Sequence, residues 1–372
     1  MNSQPLRVLH VLGFFDHGGT ESLVINLLRK IDRKKIMFDF VVHSEAEGVY
    51  EKEVKELGAH IYRVPKYKGY NHLSYVKAWK TIFSDHPEYK IVHGHVRSTA
   101  SIYLKIAKEY GLTTIAHSHS VSSGSGIAGR ARQFFQRNIV THSDYKLACS
   151  IYAGEWLFGE NTVLNPDFYV MKNAINAETY LFNSKTRQTY RKDLGLTDKK
   201  VIGHIGRFHE SKNHKRLVEL FSSIKKVVPE AVLLLIGEGQ LLPEIKQQVV
   251  KEGLSDSVMF LGSRDDAAQL YQAMDLFLFP SFYEGLGIAV VEAQASGLPS
   301  IVASSIPEEA IFTPFVNVFS LKEDNSIWIS AAFSELGADK RWPVDLEDIK
   351  EAGYDIDATA KWYESFVINL AE

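Results

Sequence analysis

The chain has one cysteine in 372 residues, Cys149. That excludes an intramolecular disulfide and any zinc site built from cysteines, and a lone thiol of this kind is expected to be buried and structural. No run approaches the roughly 18 uninterrupted apolar residues of a membrane-spanning helix. Pro5 and Arg7 lead straight into a strand-like segment where a signal peptide would need an apolar core, so the expected location is the cytoplasm. The glycine fingerprint of dinucleotide binding is also missing. Gly237-Glu-Gly239 stops short of the third glycine and Gly13 to Gly19 lacks the spacing, which argues against a nicotinamide-dependent dehydrogenase. There is no low-complexity tract and no short-period repeat. No recognition-helix or RNA-binding motif accompanies the basic residues, so nucleic acid is not an expected partner.

What the chain does have is ordinary globular composition and a concealed charge asymmetry. The net charge is −3, yet residues 1–192 carry 26 Lys+Arg against 17 Asp+Glu, while the remainder carries 16 against 28. A first half at +9 suits an anionic acceptor or peripheral contact with an anionic membrane surface, and ordinary surface charge gives the same balance. The length predicts two domains of about 170–190 residues each. Strand, glycine loop and helix open the chain: Arg7 to Leu12, Gly13 to Gly19, then a helix from about Thr20 to Lys30. Further strands are predicted near 38–42, 61–64, 91–93, 113–117 and 146–149, with helices near 47–57, 73–84, 99–110 and 127–140. After a polar stretch around Asn183 a second set begins, with strands near 200–205, 231–236, 257–261, 275–279, 299–303 and 316–318. Its helices are expected near 213–227, 241–252, 265–273 and 286–296. This alternation predicts two parallel-sheet, Rossmann-like α/β domains. The predicted division is 1–180, 181–355 and a closing amphipathic helix within 356–372.

The most informative stretch runs from Phe279 through Glu284-Gly285-Leu286-Gly287-Ile288 to Glu292. A short apolar strand ends at Pro280, a glycine turn follows, and a helix is predicted from Ile288 to Ser296 with Gly297 as its C-cap. Two glutamates eight residues apart therefore flank a strand-to-helix junction. The amides at the start of such a helix lack intrahelical partners and can receive an anion such as a diphosphate.

This arrangement resembles the Glu-x7-Glu motif of retaining glycosyltransferases of the GT-B architecture, those grouped as family 4 or "group 1". The resemblance implies two Rossmann-like domains facing across a cleft, with a C-terminal helix crossing back to the first. It implies that Glu284 and the amides of Gly285, Leu286, Gly287 and Ile288 hold the donor sugar, and that Glu292 holds the ribose hydroxyls of the nucleotide. His204-Ile-Gly206-Arg207 through Lys212-Asn213 is similar to the family's Gly-Arg…Lys-Asn segment. In it Gly206 permits close backbone approach, and Arg207 and Lys212 stabilise the departing diphosphate. Gly237 and Arg264 follow two other strands and resemble segments bordering the base. Gly18-Gly19 is similar to the family's glycine-rich loop near the donor diphosphate.

Two His-x-His pairs, His93/His95 and His117/His119, end predicted strands, and alternation sends both members of each pair to the same side. Such pairs suit a metal site or plain packing. The resemblance implies that His119 faces the donor sugar, with His117 as the fallback, and that His95 and His117 lie toward the acceptor. Arg130 to Arg137 interleaves cations with Phe134 and Phe135, which suits a bilayer surface or a domain-packing helix equally. Asp355-Ile-Asp357 mimics a metal-binding Asp-x-Asp but sits at the closing helix and is read as structural. The expected activity is transfer of a sugar from a nucleotide-sugar, with UDP favoured, to a saccharide or lipid-linked saccharide acceptor in cell-surface polysaccharide assembly. No cofactor and no metal are expected. A nucleotide-sugar epimerase of the same architecture and a non-catalytic binding subunit are the alternatives.

Overall fold

Apolar runs without alternating polarity make strands covered on both faces, and the chain builds two sheets of that kind. The computed structural model describes residues 4–15, 18–121, 138–338 and 340–371. These form two compact units, one of Met1–Ile175 with Asp355–Glu372 and the other of Asn176–Tyr354. The predicted Arg130–Arg137 segment lies outside the described residues.

In the first unit seven parallel strands, β1 (Leu6–Leu12), β2 (Ile36–Val42), β3 (Ile61–Arg63), β4 (Ile91–Gly94), β5 (Thr113–Ser118), β6 (Tyr145–Ala148) and β7 (Phe168–Val170), lie in the order β3-β2-β1-β4-β5-β6-β7. Period-2 alternation divides their side chains between two cores. Val8, Leu12, Phe38, Phe40, Ile91 and Ile115 pack on one face with Tyr363, Phe366 and Val367 of the closing helix Ile356–Ala371. Leu9, Val11, Val92 and Ala116 pack on the other with Trp79 and Tyr103. The second unit holds six parallel strands, β8 (Lys200–Ile205), β9 (Ala231–Ile236), β10 (Val258–Gly262), β11 (Leu276–Phe279), β12 (Ser300–Ala303) and β13 (Val316–Phe319), ordered β10-β9-β8-β11-β12-β13. In each sheet the order reverses beside the first strand, between β1 and β4 and between β8 and β11. In an open doubly wound sheet, ligands bind outside the carboxyl ends of the strands at such a reversal.

The chain leaves the first unit at Ile175, before the expected boundary at 180, because a parallel bridge there joins Ile175 to Asp355, where the chain returns. Asp355 accepts the Ala358 amide at 2.8 Å at the start of the closing helix, and Asp357 pairs with Lys30 at 2.9 Å. Cys149 is fully buried. No helix among the described residues is long and apolar enough to cross a membrane.

Several elements carried no periodic signal: β7 and the helices Ile151–Phe158, Asn325–Ala338 and Leu346–Glu351. The polar stretch around Asn183, where the second set was expected to begin, is a helix, Ser184–Asp193, capped by the Asn183 side chain. It docks through charge, not through apolar residues. Arg187 and Arg191 both reach Asp275 at the foot of β11, and the Val201 amide donates to the same carboxylate at 2.7 Å. Burial pushes the Asp275 carboxyl up, but Arg187, the Val201 amide and Arg191 together outweigh it and hold it below its ordinary value. Its contribution to stability is therefore present above the ordinary carboxylate pKa and is lost as pH falls through the depressed one. Asp275→Ala, which strands two partly buried guanidinium groups, is expected to cost the second unit about 3 kcal/mol or more. The urea midpoint at pH 7 reads this directly.

Candidate active site

The loops after β8 and β11 meet at the order reversal of the second sheet and are fastened to each other. The Phe282 amide donates to the Ser211 carbonyl at 2.8 Å, and the Asn213 side chain donates to the Pro280 carbonyl at 3.0 Å. Asn213 has a φ of 53°, the one positive-φ residue other than glycine among the described residues. Its left-handed turn closes the short 3-10 turn Glu210–Lys212 and starts the helix His214–Val227. The turn also aims Lys212 back over Gly206, where an added Cβ would lie 3.3 Å from the lysine Cδ and Cε. Gly237 is needed for a different reason. At φ 133° its missing Cβ leaves room for the Gly206 carbonyl, which would stand 2.2 Å from such an atom. Both glycines thus let backbone and a long cation share one narrow space.

Lys212 Nζ lies 2.6 Å from Glu284 Oε1, and the two side chains are only 18% and 11% exposed. The ammonium also stands 4.9 Å from the Phe279 ring centroid, which adds a cation–π attraction. A pair this sheltered fixes both groups in place, and each carboxylate oxygen can still accept from a hydroxyl. Gly287, at φ 87°, caps the helix Ile288–Ala295 that begins beside Glu284. Along that helix the part-buried Glu292 accepts from the phenols of Tyr180 at 2.8 Å and Tyr271 at 2.9 Å. Burial raises its pKa, and the two phenols oppose the rise. Arg207 is exposed at the end of β8. Arg264 lies just past the end of β10 and forms a two-pronged pair with Asp266, at 2.7 and 2.5 Å. The structure therefore brings Gly206, Lys212, Glu284 and the Gly285–Ile288 turn together and sets Arg264 against its own carboxylate. Tyr180 and Tyr271 carried no motif and were not singled out from the sequence.

In the first unit Gly18 caps the helix Gly19–Lys30, and an added Cβ there would strike the Glu21 carboxylate. The histidines gather toward the carboxyl ends of β1, β4 and β5. His10, His93, His95, His117 and His119 follow the alternation of Val8, Ile91 and Ile115, so all five rings lie on the face covered by the closing helix. His10 Nδ1 is 3.0 Å from His95 Nε2, and His95 Nδ1 is 2.9 Å from His119 Nε2. His93 Nε2 is 3.2 Å from His117 Nδ1, and the Tyr363 hydroxyl joins His93 at 2.7 Å and His10 at 3.4 Å. His95 and His117, expected toward the acceptor, are 8% and 1% exposed. His10 and Tyr363 were not anticipated. The available signal was register, since His10 pairs directly with His93 across β1 and β4.

Residues 186–355 match the family described as "Glycosyl transferases group 1", and residues 17–179 match "Glycosyltransferase Family 4". The chain is 33% identical over 363 residues to EpsF of Bacillus subtilis (strain 168), a protein assigned as a glycosyltransferase, covering 95% of this chain and 94% of that one. The chain belongs to the group 1, family 4 glycosyltransferases. This glycosyltransferase is also similar, at 25% identity over 62% of its length and 63% of the relative's, to the Escherichia coli UDP-Gal:alpha-D-GlcNAc-diphosphoundecaprenol alpha-1,3-galactosyltransferase. Among solved structures it superposes on Anabaena Alr3699/HepE in complex with UDP-glucose with a TM-score of 0.78 at 17% identity, covering 98% of this chain and 100% of that one. The likeness establishes the GT-B fold for this glycosyltransferase.

Two outcomes follow from the geometry of these loops and rings. Asn213→Ala is expected to destabilise the second unit by about 2 kcal/mol, because it loses a buried hydrogen bond and strains a left-handed backbone, and Asn213→Gly by less. Comparison of their urea midpoints checks it. Burial pushes His10 and His119 down to about 3, and His93, His95 and His117 well below their ordinary value. The unfolded chain therefore binds protons below about pH 6.5 that the folded chain refuses, and each such group removes up to about 1.4 kcal/mol per pH unit. Stability of the first unit is fully present above pH 6.5 and falls steeply on acidification. A flat stability profile between pH 7 and 5 would contradict this.

Proposed function

We propose that this glycosyltransferase is a retaining enzyme that moves a sugar from a UDP-sugar to a hydroxyl of a saccharide or lipid-linked saccharide acceptor in surface polysaccharide assembly. The observation that carries the reading is the sheltered Lys212–Glu284 pair, set where the strand order reverses and beside a helix that begins at Ile288. In this reading Glu284 and the amides of Gly285, Leu286, Gly287 and Ile288 hold the donor sugar and diphosphate. The helix start supplies donors and a favourable dipole for that anion. Glu292, held by two phenols, keeps lone pairs for the ribose hydroxyls. Gly237 and Arg264 border the base.

Chemically, the bond from the anomeric carbon to the diphosphate oxygen breaks as the acceptor oxygen bonds to the same face of that carbon. The acceptor's proton passes to the departing phosphate, so configuration is retained without a carboxylate nucleophile of the kind retaining glycosidases use. Charge accumulates on the diphosphate as it leaves. Cations fixed there, Lys212 by its ion pair and Arg207 at the strand end, stabilise the transition state more than the ground state. The reading assigns that task to side chains and amides and asks for no metal ion. Support for UDP comes from the solved HepE complex with UDP-glucose and from the galactosyltransferase relative that uses a UDP-linked sugar. The EpsF relative and the basic first half of the chain suit a polysaccharide or lipid-linked acceptor at an anionic inner membrane surface.

The test is a thermal-midpoint comparison with UDP, GDP, ADP and NAD. A ligand that binds only the folded state stabilises it by about 2.7 kcal/mol at a hundred times its dissociation constant. UDP is expected to raise the midpoint and NAD to leave it unchanged. Glu284→Ala should keep the UDP response and lose UDP release from UDP-sugars, while Arg207→Ala should slow that release. Normal turnover in both variants would refute the assignment.

A further inference from the structure

The loop and helix that follow β3 divide their apolar side chains in two. Val64, Tyr75 and Trp79 are buried, and the Tyr67 ring meets Tyr75 edge-on with centroids 5.1 Å apart. Tyr70 and Leu73 go the other way, and each is 84% exposed. Near them in the chain stand Lys66, Lys68, Lys77 and Lys80, all exposed, and residues 64–84 contain no aspartate or glutamate. We propose that this tip, Tyr70 and Leu73 with their four lysines, is a docking surface for a bilayer that carries anionic phospholipid.

The tip is held in shape by its own hydrogen bonds. The Lys68 amide donates to Asn71 Oδ1 at 2.7 Å, the Asn71 side-chain amide donates to the Lys66 carbonyl at 3.0 Å, and Gly69 turns the chain at a φ of 79°. Asn71 then opens the helix His72–Asp85, its carbonyl accepting the Ser74 hydroxyl and the Tyr75 amide, both at 2.9 Å. Along that helix Leu73, Lys77 and Lys80 recur at helical spacing and share the face opposite Tyr75, Trp79 and Ile82. Strand β3 is an edge strand, so the tip sits at a margin of the first sheet.

The chemistry selects a lipid surface over a protein. Two apolar side chains fall far short of the roughly 800 Å² that each partner buries in a standard protein interface, and lysine is depleted in such interfaces. At a bilayer the same composition is favourable. A tyrosine ring sits at headgroup depth, a leucine reaches the acyl boundary, and lysine stems lie along apolar surface with their ammonium groups among the phosphates. None of the four lysines pairs with a carboxylate among the described residues, so their charge is open to an anionic partner. Each is worth about fivefold in adsorption to an anionic leaflet. Tyr70 and Leu73 follow the carboxyl end of β3, the end of the sheet toward which the histidines gather. Docking there brings that end of the first unit to the headgroups, where a lipid-linked acceptor presents its saccharide.

The purpose of the surface rests on the lipid-linked acceptor proposed above, but vesicle binding needs neither donor nor acceptor, so the two readings fail separately. The experiment is co-sedimentation of the full chain, without a polyhistidine tag, with vesicles of phosphatidylcholine alone and of phosphatidylcholine mixed with phosphatidylglycerol. Binding to the mixed vesicles only is expected, and it should weaken as added salt screens the charges. Lys66→Gln combined with Lys68→Gln should weaken it about 25-fold. Tyr70→Ser combined with Leu73→Ser should weaken it about tenfold or more, by removing the apolar contact. Thermal midpoints establish that both variants fold. Equal binding to phosphatidylcholine alone, no binding to either vesicle, or undiminished binding by either folded variant would overturn the surface. So would a concentration-dependent dimer in light scattering that the Tyr70→Ser and Leu73→Ser changes abolish, because that gives the face to a second copy of the chain.

Discussion

The second unit depends on one topological constraint. Six parallel strands in the order β10-β9-β8-β11-β12-β13 leave a gap in helix cover only where the order turns, at the carboxyl ends of β8 and β11. The Lys212–Glu284 pair is attached to those two ends. The strands deliver a lysine from one side and a glutamate from the other. The backbone is then bent sharply enough, at Asn213, Gly237 and Gly287, for their side chains to meet at 2.6 Å. The pairing is electrostatic, but the position is topological. The same two residues on an uncovered loop would make a solvated ion pair of little worth.

The first unit solves the corresponding reversal differently. There the carboxyl ends of β1, β4 and β5 carry imidazoles in place of an ion pair, and the rings hydrogen-bond in two branches that converge on the Tyr363 hydroxyl. A neutral imidazole both donates and accepts, so such a chain holds together only if its tautomers agree from one ring to the next. That requirement makes the cluster rigid near neutral pH.

Much of this was legible in the sequence because strand and helix periods are local properties. All six strands of the second unit lie within about a residue of their expected limits, since each is a short apolar run closed by glycine, proline or a polar loop. The Glu284–Glu292 junction was legible for the same reason. What escaped was whatever is specified by partners distant in the chain. The Ser184–Asp193 helix has no apolar stripe, and its docking is written in Asp275, far along the sequence. Tyr180 and Tyr271 approach Glu292 only after folding, as does His10 its fellow histidines. Asn213 was visible within its motif, but its left-handed backbone was not.

One consequence concerns the order in which the chain can complete itself. The closing helix Ile356–Ala371 supplies Tyr363, Phe366 and Val367 to the core that began with Val8 and Leu12, and the whole second unit lies between them in sequence. A ribosome therefore releases every strand of the first sheet long before the residues that cover one of its faces. During that interval the second unit, whose residues are contiguous, can finish folding, while the first waits with one face only partly covered, by the helix Gly19–Lys30, and its imidazole cluster without the Tyr363 hydroxyl. The first unit to be synthesised is thus the last to be sealed, and its exposure time is set by the length of the unit inserted into it.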